Sequence, residues 1–96
     1  MIRVTLLGST GSIGSSTLDV IRRHPERFRL FALAANSSVD SLYQQVLEFR
    51  PDYAVMVDAA AAQTLRARLA GSDIGTQVLD GEAALDAVAT LSLIHI

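Results

Sequence analysis

A three-layer α/β domain with a parallel sheet is the fold class this sequence predicts, on three observations. Apolar runs alternate with amphipathic segments in the order strand, helix, strand, helix, strand, helix, an alternation that joins parallel strands through crossovers. Residues 53–57 are almost wholly apolar, as a strand covered on both faces must be. The first apolar run leads directly into three glycines spaced three apart, Gly8, Gly11 and Gly14, before a helical pattern begins.

The elements follow in order. Residues 2–7, with Ile2, Val4, Leu6 and Leu7, read as the first strand. The helix at 12–24 places Ile13, Thr17, Val20 and Ile21 on one face, and His24-Pro25 closes it, since the residue before proline leaves the helical region. Asp19 stands four residues before Arg23 on its surface, a weakly stabilising spacing. A second strand at 29–34 carries Leu30, Phe31 and Leu33; Phe28 and Phe31 anchor it against the helices. The helix at 39–49 turns Val39, Leu42, Val46 and Phe49 inward and stops before Pro51, with Ser37 and Asp40 spaced as a capping box. Asp58 follows the third strand as the N-cap of an alanine-rich helix at 59–69, which Gly71 ends. A short strand at 77–79, the Asp80-Gly81 turn and a helix at 82–89 complete the pattern.

Residues 1–90 therefore read as one domain. The last residues, 91–96, continue no helical face. They are expected to be a tail, part of it foreign to the natural protein, on a domain truncated before its second half. A doubly wound sheet places its next strand beside the first. Without it the first strand keeps an open edge that invites self-association.

Composition narrows the function classes. Of 96 residues, 50% are apolar, enough for a core and unlike a disordered chain. The formal charge of −2 builds no field toward nucleic acid or anionic membrane, and no apolar run approaches the roughly 20 residues that span a bilayer. A cytoplasmic location is the default expectation. Cysteine and lysine are absent, which removes disulfides, thiolate ligands and lysine bases. Arg22, Arg23, Arg27 and Arg29 gather around His24, Pro25 and Glu26, where cations oppose a helix dipole. A solvated helix end explains them better than a phosphate site.

The glycine turn is where chemistry concentrates. Gly8 permits the sharp exit from the strand, Gly11 lets backbone approach a phosphate with no Cβ in the way, and Gly14 lets the helix pack closely on the sheet. A helix N-terminus adds roughly half a positive charge, so a dinucleotide pyrophosphate fits there. The triplet alone also fits a plain structural turn.

A longer pattern is more specific. Gly8-Ser-Thr-Gly-Ser-Ile-Gly14, then Ser16-Thr-Leu-Asp-Val20, His24-Pro25 and Phe28, closely resembles the start of the 1-deoxy-D-xylulose 5-phosphate reductoisomerase family. The likeness continues through Ala32-Leu-Ala34, Glu48-Phe-Arg-Pro51 and Tyr53-Ala-Val-Met56, to about Thr90. It implies a Rossmann-like NADPH-binding domain of an NADPH-dependent oxidoreductase. That enzyme isomerises 1-deoxy-D-xylulose 5-phosphate and reduces the product to 2-C-methyl-D-erythritol 4-phosphate, in non-mevalonate isoprenoid synthesis. It implies a phosphosugar substrate, a divalent cation (magnesium or manganese) held by residues outside this chain, and a homodimer of the full-length protein. The fragment alone is expected to be inactive.

By the same resemblance Thr10, Gly11, Ser12 and Ile13 contact the cofactor, within a turn that includes Gly8 and Gly14. A second contact region falls on Ala35, Asn36 and Ser37. Family members usually carry a basic residue where this chain has Ser37. No carboxylate stands at positions 34–38, so a 2′-phosphate meets no like charge from that stretch. Asn36 and Ser37 are neutral donors for it, while Ser37 or Ser38 serves equally as an N-cap.

No catalytic or metal-ligating residue is expected here. Asp52, Asp58 and Asp80 have turn or cap explanations, His24 and His95 lack ligand spacing, and Met56 and Tyr43 read as packing residues. Two other readings fit the turn: a semialdehyde or acyl-phosphate reductase, and a non-catalytic nucleotide-binding module.

Overall fold

The computed structural model describes the backbone of residues 2–8, 12–90 and 94–95, with their side chains except those of Ser12, Ile13, Ala89, Ile94 and His95. The elements are β1 (Ile2–Leu7), α1 (Ser12–Arg23), β2 (Phe28–Ala35), α2 (Val39–Phe49), β3 (Tyr53–Met56), α3 (Ala59–Leu69), β4 (Gln77–Asp80), α4 (Glu82–Thr90) and β5 (Ile94–His95). The sheet order is β4-β3-β2-β1-β5, and every pairing is parallel. The alternation of elements thus yields the expected Rossmann-like sheet. Growth runs outward from β1 to β4, then α4 returns the chain to the other side of β1. That reversal makes the β1/β5 boundary a topological switch point.

Two buried clusters show which helix covers which face. Leu18 and Ile21 of α1, Leu42 and Val46 of α2, and Leu65 and Leu69 of α3 pack with Val4, Leu6, Leu33, Ala54 and Met56. On the other face Val88 of α4 packs with Phe31, Ala32, Ala34 and Val55. Ala54 and Met56 point one way and Val55 the other, the period of two that a strand imposes. A sheet covered on both faces explains why β3 carries no polar position.

β2 breaks that period once. The β1–β2 register shifts between Val4 and Thr5, which pair with Leu30 and Ala32. Phe31 is the extra residue of a bulge. Phe31 and Ala32 consequently join the same cluster although adjacent in sequence. The Phe31 ring meets Tyr53 edge-on at 5.3 Å between centroids, and the Arg3 guanidinium lies 5.6 Å from its centre.

Two local expectations are corrected. The buried stripe of α1 is Gly14, Leu18 and Ile21, at i, i+4 and i+7, and Val20 is 50% exposed. Two residues on a helix are about 200° apart, so Val20 and Leu18 cannot share a face. No capping box forms at α2. Its N-cap is Ser38, whose side chain makes no cap bond, so Ser37 lies one residue too early, and Asp40 pairs with Arg68. Asp52 lies in the bend before β3, as expected, and also accepts from Arg29 at 2.5 Å. Asp58 does cap α3, accepting from the Ala60 N–H at 3.0 Å. α2 ends in a left-handed residue, Arg50 at φ 48°, whose N–H reaches Val46 O before Pro51 prevents continuation.

The first strand's outer edge is also not open as expected. Val4 pairs with Ile94 and Thr5 with His95, because α4 returns the chain to the free side of β1. The edge strands of the sheet are β4 and β5 instead. Gln77 and Gly81 donate toward β3, to Asp52 O and Met56 O, so by alternation the Val78 carbonyl faces outward. The Arg66 guanidinium occupies it at 2.9 Å, a cation on an edge that discourages pairing with another chain. Arg66→Ala is expected to cost about 1 kcal/mol and to promote self-association. Thermal melting and sedimentation check both effects.

The arginines at the far end of α1 are tied down. Arg22 makes a bidentate pair with Glu48 of α2 and reaches Asp19 at 3.2 Å, while Arg23 reaches Asp19 at 3.1 Å. The Arg22 hydrogen bond holds the Glu48 carboxyl below its usual range.

Candidate nucleotide-binding site

A parallel sheet gathers the carboxyl ends of its strands on one edge, and the helices that follow begin there. Backbone hydrogen bonds lock these exits in sequence. The Gly8 N–H donates to Ala34 O at 2.9 Å, Val57 N–H to Ala35 O at 3.1 Å, Asp58 N–H to Asn36 O at 3.0 Å, and Gly81 N–H to Met56 O at 3.2 Å. The result is one continuous crest with Gly8 at the switch point.

Gly8 leaves β1 at φ +73°, with no atom of the described residues within 4 Å of where a Cβ would stand. Its backbone is therefore in the region L side chains resist, and the described residues leave the space beside it clear for a ligand. Gly14, one turn into α1, is buried, as close helix-to-sheet packing requires. Thr10 and Gly11 lie outside the described residues. Ser12 and Ile13 are the first two residues of α1, and the N–H groups of a first helical turn have no partner within the helix. No acidic residue stands in that first turn to compete with a bound anion.

The second region is brought to the same crest. Ala35 is buried, whereas Asn36, Ser37 and Ser38 are exposed. Of the two open readings for Ser37 and Ser38, a side-chain cap on α2 is not made by Ser38, the N-cap residue. The charged groups on the described crest are the Asp58 and Asp80 carboxylates, with Asp40 and Glu82 in the first turns of α2 and α4. An anion bound here is held by amides and neutral donors. The proximity of Asp58 to Asn36 has no signature in the sequence, because it arises from β2–β3 pairing and leaves no local signal.

Other candidates lie elsewhere. A cleft of about 450 Å³ at the opposite edge is lined by Ile21, Arg22, Phe28, Arg29, Phe49 and Arg50. Arg22 and Arg29 there already hold Glu48 and Asp52. His24 is exposed near Glu26, Met56 is fully buried, and Tyr43 packs against the core beneath Arg68. Among the described residues no three His, Cys, Asp or Glu side chains are grouped to hold a metal ion. No described helix is long and apolar enough to cross a membrane.

Fold and crest together define a Rossmann-like α/β domain, the class whose strand-exit edge receives dinucleotides. A family model described as 1-deoxy-D-xylulose 5-phosphate reductoisomerase matches residues 4–96, and the chain belongs to that family. The reductoisomerase of Methylobacillus flagellatus is 55% identical over 93 residues, which cover 97% of this chain and 23% of that protein. That of Tolumonas auensis is 53% identical with the same coverage. A reductoisomerase crystallised with NADPH, fosmidomycin and magnesium superposes with a TM-score of 0.88 at 34% identity, over 94% of this chain and 22% of that one. The Zymomonas mobilis enzyme with NADPH gives 0.84 at 38% identity, over 92% and 23%. The chain thus spans about a fifth of the length of these relatives. Family membership sets aside the semialdehyde and acyl-phosphate reductase alternative.

Proposed function

We propose that this chain is the NADPH-binding part of a 1-deoxy-D-xylulose 5-phosphate reductoisomerase, in which residues 1–90 form the cofactor domain. The observation that carries the reading is the Gly8 exit at the switch point, φ +73° with no described residue filling the space beside it, in a chain of that family. Relatives of the same fold are crystallised with NADPH. Gly8, Thr10, Gly11, Ser12, Ile13 and Gly14 form the cradle, in which first-turn amides of α1 hold the pyrophosphate. Ala35, Asn36 and Ser37 form the second contact, with Asn36 and Ser37 donating to the adenosine end of the cofactor.

Bound there, NADPH supplies the hydride that reduces the rearranged phosphosugar. This chain's own residues bind and orient the cofactor. The described acidic residues form no cluster fit for the divalent cation, so no role is assigned to one here. The full-length protein is read as a cytoplasmic homodimer. Titration of that protein with NADPH is expected to saturate at lower concentration than with NADH. Adding 1-deoxy-D-xylulose 5-phosphate and magnesium should oxidise NADPH, followed at the nicotinamide absorbance. Equal or tighter NADH binding, or no oxidation, refutes the assignment.

A further inference from the structure

We infer that Asp58 sets how strongly this site takes the 2′-phosphate that separates NADPH from NADH; the inference rests on the cofactor reading above. Three observations place it. The Asp58 N–H donates to Asn36 O at 3.0 Å, so the residue after β3 sits against the loop after β2. Its carboxylate is held on the crest by the Ala60 N–H at 3.0 Å, and among the described residues no cation pairs with it. The loop it faces, Asn36 to Ser38, is exposed and uncharged.

The physical consequence is a balance between neutral donors and the like charge of Asp58, since Asp40 in the first turn of α2 is paired with Arg68. A phosphate monoester carries more than one negative charge at neutral pH. In this loop it meets amide and hydroxyl donors, and the first turn of α2, whose N-cap Ser38 makes no side-chain capping bond, offers further N–H groups. The Asp58 carboxylate opposes it through solvent. A ribose 2′-OH feels no such repulsion and can donate to a carboxylate oxygen. Asp58 therefore narrows the preference for NADPH that the donors create.

The test keeps the helix cap while removing the charge. Asn and Ser are both good N-cap residues, so Asp58→Asn and Asp58→Ser preserve the start of α3. In the full-length protein, fluorescence titration with NADPH and NADH should show the ratio of NADPH to NADH affinity rising about threefold to tenfold in both variants. That gain should shrink in high salt, where exposed charges are screened. An unaltered ratio in two variants that melt like the parent overturns the role of Asp58 and leaves the cofactor reading standing. Failure of the parent protein to bind NADPH overturns both.

Discussion

Gly8→Val is expected to weaken NADPH binding by the full-length protein at least tenfold. Space is not the obstacle, since no atom of the described residues lies within 4 Å of where the Cβ would stand. The obstacle is φ +73°, which costs an L residue about 1–2 kcal/mol and a β-branched one more. The chain relieves that strain by rotating the exit of β1, which displaces the Gly8 N–H from Ala34 O and re-aims the start of α1. Gly81 supplies the control. It stands at φ +85° after β4, also in open space, and at the far side of the sheet from the switch point. Gly81→Val should lower the melting temperature about as much and cofactor affinity much less. Equal losses of affinity in the two variants would show that the Gly8 turn only changes chain direction.

Leu33→Ala should lower stability by about 2–5 kcal/mol in denaturant unfolding, the range for a leucine removed from a rigid core. Leu33 is fully buried, sits on the central strand between Leu6 and Ala54, and belongs to the cluster that joins α1, α2 and α3 to the sheet. Against a total near 5–15 kcal/mol for a typical domain, the loss threatens folding itself. Val20→Ala, at a position 50% exposed, should change stability by less than about 0.5 kcal/mol. Comparable losses at the two positions would mean that α1 packs through Val20 after all.

Much of the site is legible in the amino-acid order alone. The succession of elements, Gly8 as a strand exit, Asp58 as a cap and the all-apolar β3 are local patterns, each forced by backbone geometry within a few residues. Local patterns mislead where two rules compete. Ser37 and Ser38 are both capping residues, and only the start of α2 at Val39 decides between them. Val20 and Leu18 are both apolar, and the contact of α1 with β2 selects Leu18. The bulge at Phe31 carries no signal, since Phe-Ala-Leu fits an unbroken strand equally well.

By itself the sequence determined the kinds of element, the glycine turn and, through a long specific motif, the family. Only the tertiary structure decided that β5 covers β1, that Arg66 guards the outer face of β4, and that Asp58 meets the loop at Asn36. The reason is physical. Helix and strand periods come from bonds between near neighbours, whereas strand order is fixed by pairings between residues far apart, which depend on how every apolar face is buried at once.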